Sequence, residues 1–218
     1  MKAELLRSKI CLYGITMQET NPEQLLEKVR AAAAGGMTML QIRQKQMPAE
    51  KLVALAAPVL EFCRQNGILC LINDQVEAAR MLSADGVHVG QNDMCIPQAR
   101  AILGPDAIIG TSAHSVEEAV RAQKDGADYI GCGAVFPTGT KTDATPLSRE
   151  TLCSIRKAVT IPMVAIGGIT AENAALLKGS GIDGIAVVSA IFGQENPEQA
   201  ARTMKNLAQQ IVQEGASL

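Results

Sequence analysis

Two aspartates, Asp74 and Asp93, each follow a short apolar run, and carboxylates placed that way could hold a metal ion. The first run covers residues 69–72 and stops at Asn73-Asp74. The second covers residues 86–90 and stops at Gln91-Asn92-Asp93, and between them residues 76–82 repeat apolar side chains at helical spacing. A crossover this short between parallel strands is right-handed, so both aspartates are expected past the carboxyl ends of neighbouring strands, on one rim. Two carboxylates about 4 Å apart repel by roughly 4 kcal/mol at an intermediate dielectric. Such a pair needs a shared proton or a cation. All-oxygen ligands on a strand rim suit Mg²⁺, which keeps several waters and usually also meets substrate phosphate. Two solvated loop aspartates would look the same in isolation, so the rest of the chain has to decide.

Gln41, Arg43 and Lys45 alternate at the end of another apolar run, over residues 37–42. Residues i, i+2 and i+4 of a strand share a face, so one amide and two cations are expected to point the same way. Arg offers a bidentate fork for phosphate and Lys a compact charge. With Lys141 there are three cations opposite two acids. Adding about +2 for one Mg²⁺ leaves roughly +3 on the rim, which a bound pyrophosphate with about three negative charges balances. Ser112 and His114 end a fifth run, and Thr138-Gly139-Thr140-Lys141 follow a sixth. Gly167-Gly168 and Val188-Ser189 end the seventh and eighth, where barrels often hold a phosphate, although the glycines also read as tight turns. The polar stretch 138–147 reads either as a lid that closes on substrate or as an ordinary loop. His88 lies within its run and is expected to be packed and hydrogen-bonded; His114 sits nearer the rim with its role open. No Ser-His-Asp arrangement is recognisable, which disfavours hydrolysis by a nucleophilic serine.

The elements that must position these residues recur eight times. Apolar runs cover residues 10–15, 37–42, 69–72, 86–90, 107–111, 127–132, 162–166 and 184–188, each followed by helical periodicity. The runs are continuous rather than alternating, which indicates parallel strands buried on both faces. Helix starts are marked by Asn21 before Pro22, by Pro48, by Ser115 with Glu118 three positions on, by Ser148, by Thr170 with a stop near Gly179, and by Pro197. No linker or composition break intervenes. The expected fold is a single α/β domain over residues 1–218, a closed (β/α)₈ TIM barrel with its chemistry at the carboxyl-end face. An open doubly wound sheet is the rival, and it lacks the GxGxxG expected after the first strand.

Composition narrows the function. Twenty basic against 22 acidic residues give a formal charge of -2, which argues against a nucleic-acid surface or a polybasic membrane anchor. With no Trp, three Phe and two Tyr, base-stacking platforms are not expected. Six scattered cysteines without a CxxC pair argue against disulfides or zinc and for a reducing cytoplasm. No run approaches the roughly 18 apolar residues of a membrane span, and the N-terminus has no signal-peptide core. The expectation is a soluble, unprocessed cytoplasmic protein acting on small molecules, with no nucleic-acid or membrane partner.

QIRQK, IND, HVGQND, GTSAH, FPTGTK, AIGGI and VVSAI occur in this order over about residues 10–193. With them the chain resembles the thiamin phosphate synthase family. The resemblance implies joining of hydroxymethylpyrimidine diphosphate to a thiazole phosphate with Mg²⁺ and release of pyrophosphate. It passes through a pyrimidine-methylene cation that the thiazole nitrogen captures, so no protein nucleophile is needed. By the same resemblance Gln41, Ile42, Arg43, Gln44, Lys45, Asn73, Ser112 and Lys141 contact the pyrimidine diphosphate, and Asp74 and Asp93 hold the metal. Thr138, Gly139, Thr140, Gly168, Val188 and Ser189 contact the thiazole phosphate. Arg43, Lys45 and Lys141 then stabilise the departing pyrophosphate while Ser112 donates a hydrogen bond to it. Gln44 stands where many members have Glu; it alternates away from the cationic face, so little consequence is expected. Two alternatives share the barrel: a thiazole tautomerase, which needs no pyrophosphate site, and a silent barrel that binds thiamin or a phosphate ester and should have lost charged rim residues.

Overall fold

The computed structural model describes residues 2–138 and 146–215. Eight parallel strands pair in chain order and close on themselves: β1 Leu12–Ile15, β2 Met39–Ile42, β3 Leu69–Asn73, β4 Gly86–Val89, β5 Ile108–Ala113, β6 Tyr129–Gly133, β7 Met163–Ile166 and β8 Gly184–Val187. Closure is set by β1, where Tyr13 lies opposite Met39 on one side and Ala186 on the other. Strand side chains alternate between two packed layers. Tyr13, Ile15, Met39, Leu71, Tyr129, Val164 and Ala186 fill the interior. Leu12, Leu40, Ile42, Cys70, Ile72, Val87 and Ile130 face the surrounding helices. Both sets of side chains are buried, which is why the runs read as unbroken apolar stretches.

The helices start where the cap residues indicated. Asn21 Oδ1 accepts from Gln24 N at 3.0 Å to open α2, Pro22–Ala34, and Ser148 Oγ accepts from Thr151 N at 3.2 Å to open α7, Arg149–Ala158. Between these lie α3 Ala49–Gln65, α4 Val76–Met81, α5 Ile96–Leu103 and α6 Val116–Lys124. Ser115 caps α6, but Glu118 reaches one residue past the cap, to His114 N at 2.7 Å. The terminal helix α9 is Pro197–Gly215. Among the described residues no helix is long and apolar enough to cross a membrane.

Three features depart from the sequence expectation. The chain begins with a helix, α1 Lys2–Ile10, so the first strand starts at Leu12 rather than residue 10. Leu6 and Ile10, one helical turn apart, are 1% and 0% exposed and join the interior cluster. Arg7 Nε bonds Asp183 Oδ1 at 3.0 Å, Arg7 Nη2 bonds Thr160 O at 2.5 Å, and Lys9 Nζ bonds Gly67 O at 2.8 Å. All three partners lie within three residues of the start of a strand, so α1 stoppers the amino end of the barrel. The helix expected from Thr170 shrinks to one 3₁₀ turn, Ala174–Leu177. Asn173 accepts from Thr170 N and donates to Gly168 O, both at 2.8 Å, and such local side-chain bonds replace a helical ladder. Finally, a short α8, Ser189–Phe192, follows β8 and buries Ile191 and Phe192.

The stopper has a measurable weight. Leu6→Ala removes a fully buried side chain at the closed end, and urea denaturation is expected to show a loss of about 2–4 kcal/mol. Turnover per folded molecule should stay unchanged, because the strands' carboxyl ends lie at the other face.

Candidate active site

The carboxyl ends of the strands open on a cavity of about 360 Å³. Gln41, Arg43 and Lys45 line it from the end of β2, Asn73 and Asp74 from β3, and Asp93 from beyond β4. Ser112 and His114 line it from β5, Thr138 from the β6 loop, Gly168 from β7, and Val188 and Ser189 from β8. Tyr13, Ile15, Val164 and Ile166 form an apolar floor. Two residues expected to contact substrate do not line the cavity. Ile42 is 0% exposed in the outer, helix-facing layer. Gln44 is buried, and its amide accepts from Glu19 N at 3.0 Å and donates to Met17 O at 3.1 Å. The reason is the strand alternation itself, which turns both away from the face that carries Gln41, Arg43 and Lys45. Gln44 instead ties the loop after β2 to the loop after β1. Gly139, Thr140 and Lys141 lie outside the described residues.

The two aspartates meet. Asp74 sits in the left-handed region at φ 59°, and its backbone N–H donates to His88 O at 2.8 Å, which fixes the end of β3 against β4. Asp93 Oδ2 accepts from Gly90 N at 2.8 Å. A Cβ on Gly90 would stand 2.7 Å from that oxygen, so only glycine lets the carboxylate fold back this closely. Burial raises the pKa of Asp74 to about 6, reinforced by the charge of Asp93 and a hydrogen bond between the two; Asn73 and Lys45 pull the other way. Below about pH 6 the pair therefore holds one proton where two charges would repel. Beside it, Arg43 and Lys45 form no salt bridge with any described residue. Among the described residues no group of three or more His, Cys, Asp or Glu could hold a metal ion. Two carboxylates with no third acid among the described residues fit a hard cation that takes its remaining oxygens from water and a phosphate ester.

Sequence reasoning missed a chain of hydrogen bonds beneath the mouth. Gln41 Nε2 donates to Tyr13 Oη at 2.6 Å, the two tyrosine hydroxyls meet at 2.8 Å, and Tyr129 Oη meets His88 Nδ1 at 2.9 Å. His88 Nε2 meets Ser112 Oγ at 3.1 Å, so the expected packed, hydrogen-bonded His88 is what the structure contains. The missed signal was available: Tyr13 and Tyr129 are the chain's only tyrosines and both sit in apolar strand runs. Gly110 makes room for them, since a Cβ there would stand 2.1 Å from the Tyr129 ring. Burial raises the pKa of both phenols and keeps them neutral. Ser112 is also held by its backbone: Gln91 Nε2 donates to Ser112 O at 2.5 Å, and Arg121 Nη2 donates to Gln91 Oε1 at 2.7 Å. His114 Nδ1 pairs with Glu118 Oε2 at 3.0 Å on the mouth's edge.

The paired glycines after β7 serve the chain as well as the cavity. Val135 N and Phe136 N donate to Ile166 O and Gly167 O at 3.0 and 3.1 Å, extending the sheet into the loop after β6. Gly168 has φ 64°, and a Cβ there would stand 2.4 Å from Pro137 O. Its lack of a side chain therefore seats the segment that leads to Thr138.

A family model described as thiamine monophosphate synthase matches residues 12–191. Thiamine-phosphate synthase of Moorella thermoacetica is 45% identical over 183 residues, 84% of this chain and 87% of the relative. That of Chlorobium luteolum is 46% identical over 194 residues, 88% and 90% of the two chains. A solved structure of thiamine phosphate pyrophosphorylase from Pyrococcus furiosus superposes with a TM-score of 0.86 at 40% identity, covering 94% of this chain and 98% of that one.

The shared proton predicts how pH acts on the metal-free protein. Asp74's pKa stands at about 6 in the folded chain against an ordinary 3.8. Its contribution to stability is thus complete below the ordinary value and is lost as pH rises through about 6. In chelator, the wild-type melting temperature should fall more between about pH 4 and about pH 7 than that of Asp74→Asn, which has no such proton to lose.

Proposed function

We propose the substrates and the metal for a chain that belongs to the thiamine monophosphate synthase family and is a transferase forming thiamine phosphate. The substrates are a hydroxymethylpyrimidine diphosphate and a thiazole phosphate, the metal is Mg²⁺, and the second product is pyrophosphate. One observation carries this reading: a carboxylate pair that repels when both members are ionised, and two cations that form no salt bridge with a described residue, line the same mouth. A diphosphate with a divalent cation satisfies both at once.

Asp74 and Asp93 would hold the ion after losing their shared proton. Bound there, Mg²⁺ would neutralise diphosphate charge and make pyrophosphate a better leaving group. Arg43 and Lys45 orient the diphosphate from the β2 side, with Lys141 expected to approach from the loop after β6. Ser112 donates a hydrogen bond to the departing oxygen. The carbon–oxygen bond breaks with its electron pair going to pyrophosphate, and the thiazole nitrogen then donates its lone pair to the methylene carbon. Tyr13, Ile15, Val164 and Ile166 keep the floor dry, so nitrogen rather than water reaches that carbon. Thr138, Gly168, Val188 and Ser189 stand on the opposite wall, where the thiazole phosphate would lie. No protein nucleophile takes part.

With both phosphorylated substrates, purified protein should release pyrophosphate in the presence of Mg²⁺ and stop on addition of chelator; stoichiometric binding without turnover would reject the assignment. Asp93→Ala should lower kcat/KM roughly a hundredfold and recover only partly in excess Mg²⁺. Lys141→Ala should weaken use of the diphosphate with little change in melting temperature.

A further inference from the structure

His88 Nε2 lies 3.1 Å from Ser112 Oγ, a pairing that resembles a nucleophile and its base. The group behind the imidazole argues against that role. A histidine that activates serine is oriented by a carboxylate on its other nitrogen, whereas here Nδ1 meets the Tyr129 hydroxyl at 2.9 Å. The direction of the chain follows from counting protons. Each hydroxyl has one to give and two lone pairs to accept with. Tyr13 accepts from the Gln41 amide at 2.6 Å, which leaves Tyr129, at 2.8 Å, to take the Tyr13 proton. Tyr129 then gives its own proton to His88 Nδ1. A neutral imidazole accepting at Nδ1 carries its hydrogen on Nε2, and Ser112 Oγ is the acceptor waiting there.

We propose that His88 is a positioning residue: its Nε2–H holds Ser112 Oγ from behind, so the serine's own proton points into the mouth at the oxygen that leaves with pyrophosphate. The inference deepens the synthase reading and rests on it. The polarity is set on the opposite wall, at Gln41 beyond the barrel axis, and travels to β5 through the interior. His88 cannot then act as a base toward Ser112, because the nitrogen facing the serine is already protonated. The same arrangement explains why two tyrosines sit where an all-apolar barrel would be simpler to fill. They carry hydrogen-bond direction across a space that no single side chain spans.

The protein has two histidines, so the ¹⁵N imidazole resonances of ligand-free protein can be assigned with His88→Asn as reference. His88 is expected as the Nε2–H tautomer; the Nδ1–H form would overturn the relay. Tyr129→Phe removes the donor to Nδ1 and admits the other tautomer, in which Ser112 gives its proton to His88 and withholds it from substrate. The ¹⁵N spectrum should then show both forms, and kcat should fall about three- to tenfold, the worth of one neutral hydrogen bond, with KM little changed. In a Ser112→Ala background, Tyr129→Phe should cost nothing further in kcat, because its effect runs through the serine. Losses that multiply in the two backgrounds would mean a packing defect and overturn the proposal. The tautomer is read without substrate, so its failure sinks the relay alone. Absence of turnover in the wild-type protein sinks the synthase reading and with it the role given to Ser112.

Discussion

Two carboxylates side by side in a half-buried mouth repel each other once both are ionised, so the pair is stabilised by a proton or by added positive charge. Asp74 and Asp93 are held in that position by backbone bonds that leave little freedom: Asp74 N–H on His88 O, and Gly90 N–H on Asp93 Oδ2. The chain thus maintains an electrostatic conflict at the head of its cavity, relieved in the bare protein by a shared proton below about pH 6. Strand ends that put acids together also put Arg43 and Lys45 within the same opening. The site is built around charges that need a visitor, and the chemistry proposed for it uses a visitor of matching charge.

What lets the barrel hold such a conflict is the quality of its packing elsewhere. The interior and the helix-facing layer are both built of buried apolar side chains, and α1 closes the amino end with Leu6 and Ile10. Polar side chains inside are fully paired; among the described residues no buried side-chain nitrogen or oxygen lacks a hydrogen-bond partner. Stability is thus concentrated at the closed end and in the layers, and the open end is left free to be polar. This division matches the general pattern of barrels, in which one face carries stability and the other carries chemistry.

The interior row from Gln41 to Ser112 sits between those two zones and belongs to both. It satisfies buried hydroxyls, which is a structural task. It also connects two walls of the cavity whose residues are 71 positions apart in the chain, from 41 to 112. A row of neutral hydrogen bonds has a direction, and the direction decides which oxygen donates to a ligand. Barrel interiors are usually treated as filler between strands, but here the filler carries information about proton position.

Most of the architecture was legible in the residues themselves. Eight apolar runs followed by helical spacing dictate a parallel barrel, because strands buried on both faces admit no polar alternation. The placement of Asp74, Asp93, Arg43 and Lys45 past strand ends follows from that topology alone. Local capping chemistry fixed α2 and α7, since Asn21 and Ser148 satisfy donors only a few residues away. Other features depend on groups distant in sequence. Whether residues 2–10 coil against the barrel depends on Asp183, Thr160 and Gly67, which no local pattern announces. The shrinkage of the Thr170 helix depends on Asn173 finding Gly168 O. Gln44 lies in the same motif as Arg43, yet it packs against Glu19 and Met17 because alternate residues of a strand face opposite ways. The tyrosine–histidine row is the clearest case: sequence supplies the side chains, but only closure of the sheet brings residues 13, 129, 88 and 112 within hydrogen-bonding reach, because that closure, not local propensity, sets distances across the interior.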